Sequence, residues 1–311
     1  MTAGMSYLER ETDSPSRLIR DSLQMDPAKN AITLRAYAKI NLGLFVYGMR
    51  KDGYHDIETI FHLLDLYDEL SIDHSDDGLI RFEAAGRPIP EGKNLCVRAA
   101  AALKDACEID RGAAIRLLKR IPIGAGLGGG SSDAAAVLRG LGSLWGVPDE
   151  KLVHVAGRIG SDVPYFIRPG TAYGSGRGEI LHYLELRLPY WILTAIPPIH
   201  VSTAWAYRQV STRPGKPDGR LLEAALKAEV DVRPFLAFAR NDFEAFVSAE
   251  HPKIRLALET LWRSGAEYAS LSGSGSAVFG LYASKKIAED AGQLLGGVGP
   301  AFEVFLTPPH L

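Results

Sequence analysis

The chain has 311 residues, of which 46% are apolar, and its 35 basic and 37 acidic residues give a formal net charge of −2. This length and composition indicate a globular protein and favour two domains over one large hydrophobic core. The near balance of charge argues against a protein that coats nucleic acid or binds an anionic membrane, because such proteins carry a clear excess of basic residues.

The cysteines and the apolar runs bear on the cellular compartment. Cys96 and Cys107 are the two cysteines, and both fall in a helix-like run over 94–108. In a continuous helix they would lie about 16 Å apart along the axis, too far for a disulfide. No apolar run is long enough to span a bilayer, and residues 1–30 lack the hydrophobic centre of a signal peptide. We therefore expect a reducing, cytoplasmic location and no membrane partner.

The first strand-like pattern places two polar residues on one face. Over 34–44, apolar residues alternate with others, which predicts a β-strand. Lys39 and Asn41 both fall on the face opposite the apolar one. A turn signal at 50–53 and a second strand-like run within 54–66 follow, so the chain begins as a β-rich, mainly antiparallel domain.

Helices and strands then follow in irregular order. Apolar periodicity predicts, in chain order, helix 94–108, strand 113–123, helices 133–145 and 149–159, strand 190–196 and helices near 219–228 and 250–264. Residues 268–271 then lead into a second glycine loop. This order is mixed rather than a regular βαβα repeat. An α+β fold is therefore favoured over a doubly wound parallel sheet.

A glycine-rich loop at 122–135, PIGAGLGGGSSDAA, joins a predicted strand to a predicted helix. Glycine tolerates positive φ and lets the backbone approach an anion closely. Serines that open the helix would cap its first N–H groups, and these N–H groups together with the helix dipole favour bound phosphate. The loop is predicted to bind phosphate. A flexible linker is the alternative, which the flanking strand and helix disfavour.

Two common phosphate-binding patterns do not account for this loop. The glycine–lysine pairs at 92–93 and 215–216 are not followed by Ser or Thr, so no P-loop is present. A GxGxxG pattern occurs over 124–129, and Asp149 lies at the distance where a dinucleotide-binding fold has its acidic residue. In that fold the acid ends a strand, whereas 147–151 is typical of a turn and a helix start. We interpret the match as accidental.

Three further segments each have a simple structural explanation when they are considered separately. Lys39, within 38–42, is on its own most often a solvated surface charge. Asp162, within Gly160-Ser161-Asp162-Val163-Pro164, is commonly a turn or capping residue. The second small-residue loop, LSGSGSA at 271–277, could be a simple hairpin turn.

Together the four segments resemble the GHMP kinases, a superfamily of small-molecule kinases. The chain is identified as a member by Pro122, Gly126-Leu127-Gly128 and Ser131-Ser132 in the ATP loop, Lys39-Ile40-Asn41 in the first motif and Gly273-Ser274-Gly275 in the third. The resemblance runs from about residue 33 to about residue 305. With 52–55, DGYH, and 160–164, the chain is most similar to the branch that phosphorylates a cytidine-diphosphate ester of methylerythritol in the non-mevalonate isoprenoid pathway.

The resemblance implies a fold and a domain division. It implies an α+β, two-domain GHMP kinase fold with a ribosomal-protein-S5-like N-terminal domain and a ferredoxin-like α/β sandwich as C-terminal domain. We place the ATP loop and catalytic residues in 31–178 and the C-terminal domain in 179–311. Residues 1–30 are polar without a clear period, which predicts a disordered or loosely attached extension. The expected assembly is a monomer or weak homodimer.

The resemblance also implies site residues for phosphoryl transfer from ATP. Asp162 would take the proton from the acceptor hydroxyl, and Lys39 beside it would neutralise charge during transfer. Mg²⁺ would lie near Ser131 or Ser132, without a defined set of protein ligands. Asn94 is expected to line the adenine pocket, and amides of the loop from Gly124 to Ser132 are expected to hold the phosphates. The full set expected to bind ATP is Asn94, Pro122, Gly124, Gly126, Leu127, Gly128, Gly129, Gly130, Ser131, Ser132, Gly273, Ser274 and Gly275.

The acceptor is implied to be a small molecule that carries cytidine diphosphate. Tyr54 would stack on the pyrimidine and His55 would bond its edge. Tyr207 would be the second aromatic of the sandwich, although Trp205 lies close to it in sequence. Asn41 would reach the methylerythritol end. Outside the resemblance, a core tyrosine and a surface histidine explain Tyr54 and His55 equally well.

One departure and two rival functions accompany this interpretation. Tyr37 stands where the family usually has proline before its Ala-Lys, which leaves a free N–H and more backbone freedom. GHMP kinases acting on mevalonate, homoserine or galactose share the ATP loop, but they do not need the pyrimidine site. A non-catalytic RNA-binding module is the other rival, and the charge balance and the presence of both Lys39 and Asp162 disfavour it.

Overall fold

The computed structural model describes residues 23–26, 31–90, 92, 94–168, 170–228, 231–297 and 302–309. Two sheets dominate it. The first contains β1 Leu23–Asp26, β2 Ala31–Met49, β3 His55–Ser75, β4 Ile80–Gly86, β5 Gly112–Lys119, β6 Thr171–Ser175 and β7 Ile180–Leu184. Its order is β1-β2-β3-β5-β4, and β6 pairs with both β3 and β7. The pairing of β4 with β5 is parallel and the others in this sheet are antiparallel.

Helices cover one face of this sheet. They are α1 Leu95–Cys107, α2 Gly129–Trp145, α3 Asp149–Ile159 and the short α4 Val163–Ile167. The apolar side of α2, including Val137 and Leu141, packs in one buried cluster with Leu34 and Ile72 of the long strands. At Gly140 a Cβ would lie 2.6 Å from the end of the Ile72 side chain, so a larger residue would have to displace that side chain. The helix and the sheet are therefore closely packed at this point.

The second sheet has the strand order of a ferredoxin-like domain. It contains β8 Trp191–Ile196, β9 Tyr268–Leu271, β10 Val278–Tyr282 and β11 Glu303–Thr307, in the antiparallel order β11-β8-β10-β9. Its helices are α5 Thr203–Gln209, α6 Arg220–Lys227, α7 Arg233–Phe238, α8 Glu244–Glu250, α9 Pro252–Arg263 and α10 Lys285–Gly297. Together with the first sheet, this order agrees with the α+β, two-domain arrangement that the resemblance implies.

Several element bounds differ from the sequence predictions. Helix α3 has the predicted bounds, but α2 begins at Gly129 rather than at residue 133. The glycines there adopt helical geometry, which apolar periodicity cannot reveal because they have no side chain. Strand β3 continues to Ser75, well beyond the predicted 54–66, since its second half pairs with β5.

The structure also differs from the predicted limits of the N-terminal domain at both ends. Leu23–Asp26 pair with Ala31–Leu34 of β2, so the expected disordered extension is wrong for these four residues, and the rest of 1–30 lies outside the described residues. Backbone pairing there needs no apolar period in the sequence. At the other end, β7 pairs with β6, so the first sheet continues past the boundary predicted at residue 178.

Cys96 and Cys107 lie on the continuous helix α1, and both are free. This agrees with the spacing argument against a disulfide between them. Among the helices that the structure describes, none combines the length and the apolar character needed to cross a membrane.

Candidate active site

Lys39 is a buried lysine at the centre of the site. Only 4% of its side chain is exposed, and its Nζ donates hydrogen bonds to Oδ1 of Asn41 at 2.7 Å and to the carbonyl oxygen of Gly126 at 2.9 Å. Burial lowers its pKa, and the nearby Asp162 opposes that shift. The sequence predicted that Lys39 and Asn41 share a strand face. The interpretation of Lys39 as a solvated surface charge is wrong, because the glycine loop lies against this part of β2 and the N–H of Lys39 donates to the carbonyl oxygen of Leu127.

Asp162 lies across from this lysine, immediately before α4. Its Oδ2 is 3.8 Å from Lys39 Nζ, and about a third of its side chain is exposed. Although it occupies the N-cap position, its side chain makes no capping hydrogen bond. The carboxylate is therefore partly open to the cavity that it lines and is close to one cation.

The glycine loop reaches these residues because its backbone adopts conformations that favour glycine. Gly124, Gly126 and Gly128 have φ of 70°, 83° and 70°. The carbonyl oxygen of Gly126 accepts bonds from Lys39 Nζ and from Ser272 Oγ at 3.0 Å. A Cβ on Gly126 would lie 2.2 Å from the carbonyl oxygen of Ser272. The loop is thus fixed between β2 and the second small-residue loop.

The serines do not cap α2 as the sequence predicted. Gly128 is the N-cap residue, and Ser131 and Ser132 lie inside the first turn. The prediction failed because the helix starts at the glycines, so its free N–H groups are those of residues 128 to 131 and the serines do not stand before them in the capping position. Ser132 is buried, whereas Ser131 is half-buried and lines a cavity.

The third motif supports the glycine loop from the other domain. Asn241 donates from Nδ2 to the carbonyl oxygens of Leu271 at 2.7 Å and Gly273 at 2.8 Å. The N–H of Ala277 bonds to Ala125 at 2.9 Å. These bonds hold 271–277 against the loop.

Two cavities flank the glycine loop. The first, here the Lys39 cavity, has a volume of about 710 Å³ and contains Lys39, Asn41 and Asp162 in its wall. The second, here the Asn94 cavity, has a volume of about 770 Å³ and is lined by Asn94 and residues 122–131 of the loop. Gly126 and Gly128 line both, so the two cavities are neighbours on either side of this part of the loop, beside Lys39.

This division separates the residues expected to bind ATP. Asn94, Pro122, Gly124, Gly126, Leu127, Gly128, Gly129, Gly130 and Ser131 line the Asn94 cavity. Ser132 and Gly275 line neither cavity, and Gly273 and Ser274 line the Lys39 cavity instead. The glycine loop separates the third motif from the Asn94 cavity. Asn94 itself caps α1, accepting the N–H of Cys96 at 3.0 Å.

Aromatic side chains lie at the end of the Lys39 cavity. Tyr54, His55 and Tyr207 all line it. The His55 ring stacks on Tyr207 with centroids 5.4 Å apart, and His55 Nδ1 is 2.9 Å from the carbonyl oxygen of Tyr47. The Tyr54 ring, half exposed, faces the guanidinium of Arg177 instead. Trp205, the alternative to Tyr207, is absent from the wall described here and packs against Phe246.

A buried charge cluster beneath the loop was missed by the sequence analysis. Lys119, the last residue of β5, has its Nζ 2.5 Å from Oδ2 of Asp68 and 2.6 Å from Oδ2 of Asp133. Asp68 also accepts the N–H groups of Arg120 and Ile121. Burial alone would lower the pKa of Lys119, but the two carboxylates outweigh it and raise that pKa. The ammonium therefore stays charged and ties β3, β5 and α2 together.

Gly126→Ala tests the close approach of the two loops. A left-handed φ costs a non-glycine residue about 1–3 kcal/mol, and the contact with Ser272 adds to this, so we expect the free energy of unfolding to fall by at least that amount. Urea unfolding measures it. Gly157→Ala is the control, because Gly157 lies in α3 with open space around it and should gain up to about 1 kcal/mol. Equal stability of Gly126→Ala and the parent would contradict the packing described here.

Comparison with known proteins agrees with this geometry. The model of the GHMP kinase N-terminal domain matches residues 94–170, and that of the GHMP kinase C-terminal region matches 222–295. A protein of Chlorobium phaeobacteroides (strain BS1) named 4-diphosphocytidyl-2-C-methyl-D-erythritol kinase is 45% identical over 285 residues, covering 89% of this chain and 97% of its own. The protein of that name from Chlorobaculum tepidum is 43% identical over 282 residues, covering 89% and 96%.

Solved structures are similar over the same length. A 4-(cytidine 5'-diphospho)-2C-methyl-D-erythritol kinase has a TM-score of 0.72 at 33% identity, covering 88% of this chain and 98% of its own. A homoserine kinase from Cytophaga hutchinsonii has a TM-score of 0.70 at 17% identity, covering 92% and 97%. The second likeness bears on the fold alone.

Proposed function

The chain belongs to the 4-diphosphocytidyl-2-C-methyl-D-erythritol kinase family of GHMP kinases, and on that premise we propose that it transfers the γ-phosphoryl group of ATP to the 2-hydroxyl of that cytidine-diphosphate ester. The reaction is a step of the non-mevalonate isoprenoid pathway. The observation that carries the proposal is the position of two neighbouring cavities on either side of Gly126 and Gly128, beside Lys39 and Asp162. Donor and acceptor can thus approach from opposite sides of one loop.

We assign the Lys39 cavity to the acceptor. Asp162 accepts the proton of the 2-hydroxyl while the oxygen bonds to the γ-phosphorus and the bond from that phosphorus to the leaving oxygen of ADP breaks. Lys39, held by Asn41 and Gly126, neutralises charge on the moving phosphoryl. Because these bonds already orient the ammonium, little rearrangement is needed as charge develops.

We assign the Asn94 cavity to ATP. The N–H groups at the start of α2 and the positive end of its dipole favour phosphate oxygens at Gly128 to Ser131. When bound with ATP, Mg²⁺ neutralises β- and γ-phosphate oxygens. The hydroxyl oxygen of Ser131 lines this cavity and could be a ligand of the ion. The described residues contain no group of three carboxylate, histidine or cysteine side chains suited to a metal. The ion would therefore be held mainly by phosphate, water and Ser131.

A substrate panel tests this assignment. With Mg-ATP, the purified protein is expected to release ADP in the presence of 4-diphosphocytidyl-2-C-methyl-D-erythritol, and not with mevalonate, homoserine or galactose, which offer no pyrimidine for Tyr54 and His55. A coupled assay for ADP measures the rates. Turnover of mevalonate alone would contradict the acceptor and leave the fold family untouched.

A further inference from the structure

Arg177 stands in an ordered turn at the rim of the Lys39 cavity. The turn joins β6 to β7, and both neighbours of Arg177 are glycines with positive φ, 69° at Gly176 and 108° at Gly178. The N–H of Ile57 bonds to the carbonyl oxygen of Gly176 at 2.7 Å, and Arg177 N bonds to Oε2 of Glu179 at 2.6 Å. The backbone that carries this arginine is thus held in place.

The guanidinium of Arg177 has unused donors. Its carbon lies 4.8 Å from the centroid of the Tyr54 ring, which leaves the planar group against an aromatic face. Its Nε is buried, makes no hydrogen bond with any described residue and forms an ion pair with Oε1 of Glu179 at 3.5 Å. Arg177 also lines the cavity, so the two terminal nitrogens of its guanidinium can donate to an anion there.

The turn spans the distance between the two ends of the cavity. Arg177 contacts Tyr54, the proposed pyrimidine end, while a Cβ on the next residue, Gly178, would lie 3.8 Å from Oδ1 of Asp162, the proposed transfer end. In the proposed acceptor the diphosphate connects these two ends. Its charge must therefore lie near residues 177–178.

The other cations in this wall are less suited to the diphosphate. Lys39 donates to Asn41 and Gly126 and is placed at the transferred phosphoryl group. Arg208 lines the cavity from α5 but is exposed to solvent, where its attraction for an anion is weakened. Arg177 is about one quarter exposed and is fixed against Tyr54.

We propose that Arg177 binds the diphosphate of the acceptor, and thereby makes the enzyme select a nucleoside diphosphate ester rather than a nucleoside or an uncharged alcohol. The inference rests on the proposed function. A guanidinium fits this task because its fork of N–H donors can bind two phosphate oxygens at once. The Tyr54 ring, 4.8 Å from the guanidinium carbon, packs against this group.

Calorimetric titration with CDP and with cytidine tests the inference without relying on turnover. The parent protein is expected to bind CDP more tightly than cytidine. Arg177→Met should weaken CDP binding by about 10–100-fold and leave cytidine binding unchanged, since charge-assisted hydrogen bonds are lost and the pyrimidine site is not. Arg177→Lys should retain part of the preference, because it keeps the charge but not the fork. Arg255→Met, on the exposed side of α9, is the matched control.

The outcomes separate the two claims. A parent protein that binds neither CDP nor cytidine would overturn the proposed acceptor, and with it this inference. If the parent protein and Arg177→Met bind CDP with equal affinity, the inference is overturned and the proposed acceptor is not. The same holds if CDP binding is weakened in Arg208→Met and not in Arg177→Met. Equal weakening of CDP and cytidine by both Arg177 variants would mean that Arg177 only supports Tyr54.

Discussion

Asp162→Asn is expected to lower kcat by about 10²–10⁴-fold, because the amide cannot accept the proton of the acceptor hydroxyl. The substitution keeps the size of the side chain and removes its charge beside Lys39, 3.8 Å away. The KM for ATP should change little, since Asp162 does not line the Asn94 cavity. Steady-state rates with each substrate varied in turn give both constants.

The control for this variant is the same substitution at an exposed aspartate outside the site. Asp290→Asn on α10 removes an exposed ion pair with Lys286 and should leave kcat unchanged. Wild-type turnover in Asp162→Asn would remove Asp162 from the role of base. A raised KM for ATP at unchanged kcat would instead mean that the carboxylate acts on the donor.

Lys119→Met is expected to destabilise the protein by about 3–5 kcal/mol, because it leaves Asp68 and Asp133 buried without their cation. Burial raises the pKa of Asp133 and Asp68 pushes it in the same direction, whereas the ammonium of Lys119 opposes both effects. The shift in the midpoint of urea unfolding, at unchanged slope, measures the loss.

Two further variants define the cause. Lys227→Met removes an exposed pair with Glu223 and should change the free energy of unfolding by well under 1 kcal/mol. Lys119→Met combined with Asp68→Asn and Asp133→Asn should recover part of the stability, since no unpaired buried charge remains. A triple variant no more stable than Lys119→Met would contradict the electrostatic explanation.

The sequence predicted features that depend on local pattern. The helix at Asp149–Ile159 follows directly from periodicity and flanking residues. The shared face of Lys39 and Asn41 follows from strand alternation and is confirmed by the bond between them. These features need no knowledge of what lies across the fold.

The features that the sequence missed depend on distant segments. Lys39 is buried because the loop around Leu127 lies over it, far along the chain. Lys119 meets Asp68 and Asp133 only after β3, β5 and α2 assemble, and the single signal was a charged residue at the end of an apolar strand. The stacking of His55 on Tyr207 likewise joins the two domains. Pairwise geometry of this kind has no local pattern.

Transfer of a phosphoryl group to the 2-hydroxyl can be observed by ³¹P NMR of the product formed with Mg-ATP. Carbon 2 carries the methyl branch and no hydrogen, so the new phosphomonoester signal should show no three-bond coupling to a proton. A new phosphorus signal split by such a proton, or no new signal beside those of ADP and the unchanged acceptor, would contradict the assignment.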